Sequence, residues 1–83
     1  MKTIYKYKVG ETHILPISAN ALTANIQDGQ IFVWIELDTE EFDKEDREYV
    51  VFGTGWEMPE DKDYLYVSSV FDSGFVWHVY QVL

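Results

Sequence analysis

Cysteine is missing altogether from these 83 residues, so no disulfide staples the fold and no thiolate can ligate a metal or act as a nucleophile. Histidine occurs only at positions 13 and 78, with no second ligand at metal-binding spacing from either. No Gly-x-Ser-x-Gly or comparable nucleophile motif is present, and the carboxylates of so acidic a chain fall into pairs by chance. The expectation is a protein that is not an enzyme and needs no metal or cofactor. A metal-assisted hydrolase using Asp61 or Asp63 is the weaker alternative.

Long apolar runs are also lacking. Met1-Lys2-Thr3 leads straight into an alternating segment, without the continuous stretch of a secretory signal, and nothing is long enough to cross a bilayer. A soluble, cytoplasmic protein without membrane contact is expected.

Positive charge is scarce too. Six Lys and Arg face fifteen Asp and Glu, for a net charge of −9. A protein that grips a phosphate backbone needs a basic stripe to displace counterions, so direct DNA or RNA binding is not expected. The imbalance suits solubility, and it also suits docking on a basic partner.

What the chain has in quantity is aromatic rings and period-two alternation. Aromatics make up 17% of residues, with three Trp, six Tyr and five Phe. Each ring can bury about 150–250 Å², and one domain over 1–83 buries only about 60–65% of its unfolded surface, so its core must be dense or shared with a partner. Ile4–Val9 alternates as a half-buried strand. Gly10-Glu11-Thr12 reads as a turn, and His13-Ile14-Leu15 as a short return strand that Pro16 confines to a sheet edge. Ala21–Gln27 and Gln30–Asp38 flank Asp28-Gly29, a two-residue hairpin turn requiring positive φ at both positions. In the second of these strands Ile31, Val33, Ile35 and Leu37 share one face, and Phe32, Trp34 and Glu36 the other.

Thr39–Asp46 reads as a charged connection, Arg47–Phe52 as a strand and Trp56–Asp63 as a second acidic loop. Tyr64–Phe71 and Phe75–Leu83 form a hairpin about Asp72-Ser73-Gly74. About seven strands with turn signals between them and no helical periodicity predict an all-β fold, a small antiparallel barrel or sandwich. The apolar end Tyr80-Gln81-Val82-Leu83 implies burial in the sheet or in a subunit contact, and a homo-oligomer is expected.

Gly53-Thr54-Gly55, with Trp56 just beyond, is the stretch with most chemical promise. Two glycines at a strand end mark positive φ or a close backbone approach. They offer either a nest of amides for an anion beside an indole face, or a strand terminus with Trp56 capping the core. Trp34, Trp77 and His78 supply further rings, each of which also fits a core position. Lys6, Lys8 and Arg47 are the cations available to a ligand there.

Ile4-Tyr5-Lys6-Tyr7, Phe32-Val33-Trp34, Phe52-Gly53-Thr54-Gly55, Pro59-Glu60-Asp61 and Gly74-Phe75-Val76-Trp77-His78-Val79-Tyr80 follow one another in an order that resembles small, functionally uncharacterised proteins of phages and prophages. Members of that group carry histidine after the Gly-Thr-Gly turn, where this chain has Trp56. The resemblance implies a phage accessory protein working by binding in the cytoplasm of an infected bacterium. Two mechanisms fit. In one, a homo-oligomer sequesters a nucleotide-type immune signal, using Lys6, Trp34, Arg47, Gly53, Thr54, Gly55, Trp56, Trp77 and His78. In the other, Glu40, Glu41, Asp43, Glu45, Asp46, Glu60 and Asp61 imitate nucleic acid and occupy the groove of a basic host defence protein.

Overall fold

In the computed structural model, which describes residues 1–83, the alternating segments become seven strands. They are β1 (Lys2–Lys8), β2 (Thr12–Pro16), β3 (Asn20–Gln27), β4 (Gln30–Asp38), β5 (Lys44–Gly53), β6 (Tyr64–Asp72) and β7 (Phe75–Val82). All pairings are antiparallel, in one sheet of order β1-β4-β3 and another of order β2-β5-β7-β6. The arrangement is a sandwich, not a closed barrel.

Two tight turns fix the registers. Asp28 and Gly29 have φ of 54° and 76°, the left-handed pair that an Asp-Gly hairpin demands, and they set Gln27 opposite Gln30. Ser73 and Gly74, at 48° and 87°, do the same between β6 and β7.

Alternation then decides what lies between the sheets. Val33, Ile35 and Leu37 from β4 meet Leu15 and Tyr49 in one buried cluster, while Ala24, Val70 and Val79 form a second. Val9 and Val67 pack against both clusters and join them. Side chains this size each contribute about 1.5–3 kcal/mol when fully buried.

The chain departs from its predicted path at two places. His13–Leu15 does not return along β1. Val9 donates its amide to Ile31 O of the first sheet and Gly10 to Tyr49 O of the second, so the chain changes sheets within two residues, helped by a φ of 95° at Gly10. β2 then pairs with β5, His13 opposite Arg47. The crossing places Leu15, 1% exposed, against Tyr49 in the core, which a surface hairpin with β1 would forgo. β2 is an edge strand, as Pro16 requires. The acidic connection is also shorter than expected, because Lys44, Glu45 and Asp46 pair with Pro16, Leu15 and Ile14 and lengthen β5 at its start.

Candidate functional site

The residues singled out from sequence do not converge on one site. They fall at a corner, on two opposite outer faces and between the sheets.

At the corner, Gly55 turns the chain with φ of 87°. Thr54 N donates to Val76 O at 3.2 Å and Trp56 N to Gly53 O at 3.0 Å. One of the Gly53–Gly55 amides expected to cradle an anion, that of Thr54, is therefore already used inside the protein, as is the next amide, that of Trp56. Gly53 serves a different purpose: a Cβ there would lie 2.8 Å from the Trp56 indole, which folds back over it. Trp56 meets Trp77 edge-on with centroids 5.5 Å apart, and Trp77 stacks on Phe75 at 5.9 Å. These rings, with Thr54 and Gly74, line a shallow groove of about 370 Å³.

His78 points outward from β7, away from Trp77 and Val79. Its Nε2 lies 2.8 Å from Thr54 Oγ1 and its Nδ1 3.1 Å from Ser69 Oγ, which is 2.7 Å from the Tyr66 hydroxyl. Both imidazole nitrogens are thus occupied in a polar chain running from the turn after β5 across β7 to β6. Around it on the same face stand Phe52, Tyr64 and Tyr80, in edge-to-face contact at 5.4–6.1 Å.

Arg47 is a correction. Expected as a cation for a ligand, it is 7% exposed and committed within the fold. It donates to Ile17 O and Ala19 O at 2.9 Å, to the Tyr49 hydroxyl at 3.2 Å and to the Glu45 carboxylate at 3.0 Å. Burial pulls its pKa down, but the Tyr49 and Glu45 contacts outweigh that and leave it raised. Arg47 therefore ties the β2–β3 connection beneath β5, and it lies at the opposite end of β5 from Gly53.

Lys6 and Trp34 do come together, on the outer face of β1-β4-β3. They are direct cross-strand partners, and Thr23 of β3 continues the row; Lys8, Phe32 and Asn25 form the next one. Lys6 Nζ sits 4.6 Å from the centre of the Phe32 ring and bonds the Gln27 side-chain carbonyl. Lys2 and Lys8 pair loosely with Glu36 and Glu11, at 3.8 and 3.9 Å. Phe32 completes this face. It was legible as the neighbour of Trp34 on the same stripe of β4.

Several acidic residues are likewise engaged. Glu41 accepts hydrogen bonds from the hydroxyl and the amide of Ser18, which hold its carboxyl below the usual range. Glu45 pairs with Arg47, and Glu40 with the amino group of Met1 at 3.2 Å. Asp43, Asp46, Glu60 and Asp61 remain exposed. Between Glu41 and Asp43, Phe42 is 97% exposed, although the backbone around it is pinned by Ile17 N donating to Asp43 O at 3.0 Å. Sequence reading passed over Phe42, since nothing local distinguishes a ring turned outward from one turned inward.

No curated protein and no solved structure matches this chain. A family model does match, over residues 1–83, and the chain belongs to that family, the domain of unknown function DUF7352.

Proposed function

We propose that this is a non-enzymatic phage accessory protein that works in the bacterial cytoplasm by sequestering a nucleotide-type signal, and that the ligand lies on the Lys6–Phe32–Trp34 face. The observation carrying this reading is the setting of Lys6, opposite Trp34 and over the Phe32 ring, while its neighbours Lys2 and Lys8 have carboxylates beside them. A base stacked on these rings gains about 1–3 kcal/mol. The ammonium meets its phosphate, and the side chains of Thr23, Asn25 and Gln27 offer polar groups to the base edge. Because the chain carries −9 overall, such a face has to focus its positive charge locally. The Gly-Thr-Gly corner, with Thr54 and Trp56 amides already bonded, supports phosphate binding less well.

Titration calorimetry against mononucleotides and cyclic dinucleotides tests this. Lys6→Glu and Trp34→Ala should each weaken binding at least about tenfold, the loss of one stacked base or one charge contact, with Thr54→Val unaffected. Binding that survives both changes, or no binding by any nucleotide, would overturn it.

A second reading, an acidic inhibitor of a basic host defence protein, is favoured by Phe42. An apolar ring fully in water on a braced loop, flanked by Glu41 and Asp43, fits an apolar pocket with a basic rim. Association with such a partner should weaken steeply as salt rises and fail in Phe42→Ala.

A further inference from the structure

We infer that the outer face of the β2-β5-β7-β6 sheet is where a second copy of this chain docks, face to face about a two-fold axis. The first observation is charge. In a chain of −9, the outward positions Val50 and Phe52 of β5, and all those of β6 and β7, carry no carboxylate, lysine or arginine; the charged outward positions of this sheet, Lys44, Asp46 and Glu48, lie in the first half of β5, beside β2. Two copies repel one another wherever their acidic loops meet. This face is where like can approach like without that cost, whereas a basic partner gains nothing here.

The second observation is that the face is ready to lose water. Its rings, Phe52, Tyr64, Tyr66 and Tyr80, already pack edge to face at 5.4–6.1 Å, so little side-chain freedom is lost on docking. Its polar groups largely satisfy one another: His78 is bonded through both nitrogens to Thr54 and Ser69, and Ser69 to Tyr66. Covering them leaves no orphaned imidazole. The Tyr64 and Tyr80 hydroxyls are left to bond across the axis or to interfacial water.

The third is area. A stable interface takes about 800 Å² from each partner. The molecule is a slab with extents of 40 × 31 × 16 Å, and a broad face supplies that when the uncharged β6-β7 side forms the centre of the contact and Lys44, Asp46 and Glu48 fall toward its rim. An isologous contact also closes on itself, so it gives a dimer and not a filament. This inference does not rest on the nucleotide reading, since Lys6, Phe32 and Trp34 lie on the opposite face and stay open in such a dimer.

Sedimentation velocity over a concentration series, with native mass spectrometry, tests it. The unmodified chain should be a dimer whose association tightens with added salt as repulsion between the copies is screened. Tyr80→Glu should weaken association at least about tenfold, the loss expected at a central aromatic. Val76→Glu should do likewise, and circular dichroism identifies which of the two stays folded. Trp34→Ala, on the other face, should leave the dimer intact. A monomer at the highest soluble concentration would overturn the inference. So would a dimer unmoved by a folded variant at position 76 or 80, or one that dissociates as salt rises.

Discussion

Gly53 and Trp56 occupy one another's space: the indole lies where a side chain at position 53 would begin, 2.8 Å from an added Cβ. The glycine is needed for what folds over it and not for its φ, since the positive φ of this turn belongs to Gly55. Gly53→Ala should therefore push Trp56 outward, at under about 1 kcal/mol, since an indole already 58% exposed can swing into solvent. The near-ultraviolet dichroism arising from Trp56 against Trp77 should fall with it. In a Trp56→Ala background the same change should cost much less, a coupling that a double-mutant cycle measures.

Arg47 gives the largest expected loss of stability. Arg47→Met leaves the carbonyls of Ile17 and Ala19 and the Tyr49 hydroxyl without their donor, for about 2–4 kcal/mol. Lysine should not rescue it, because one ammonium cannot replace a planar fork that reaches both carbonyls. Urea denaturation checks both variants.

The Ser18–Glu41 clamp sets a pH dependence. The Glu41 carboxyl is held low in the folded state, chiefly by the Ser18 hydroxyl and then by its amide. The unfolded chain therefore binds that proton first as pH falls. The clamp's contribution is complete above the ordinary glutamate range, about 4.3, and is lost as pH drops through the lower folded value. Ser18→Ala should bring Glu41 back toward the ordinary range in an NMR titration and flatten this part of the acid unfolding curve.

Phe42 separates stability from partner binding. At 97% exposure it contributes little to the fold, so Phe42→Ala should leave the denaturation midpoint within about 0.5 kcal/mol of the parent. A larger loss would mean that the ring packs against the protein.

Period-two alternation made the strands legible, and Asp28-Gly29 and Ser73-Gly74 announced their hairpins because a two-residue turn leaves few chemical choices. Pairing between distant strands was another matter. Nothing near His13–Leu15 shows that its partner is Lys44–Glu48, because that choice rests on burying Leu15 against Tyr49, more than thirty residues away in sequence. The same limit divided the candidate site. Lys6 with Trp34, and Thr54 with His78, are near neighbours once register is known, but one sequence does not say which stripe lies on which sheet. Arg47 looked like a free cation because its acceptors, the Ile17 and Ala19 carbonyls, are backbone atoms with no signature in the residue string.

The crossing at Val9–Gly10 bears on which part of the fold opens first. β1 is a sheet-edge strand whose one strand partner is β4, and only a three-residue link, Val9–Glu11, ties it to β2 in the other sheet. Withdrawing it would free one side of β4 and leave the β2-β5-β7-β6 ladder whole, so this edge is the part of the fold that can fray without breaking the larger sheet.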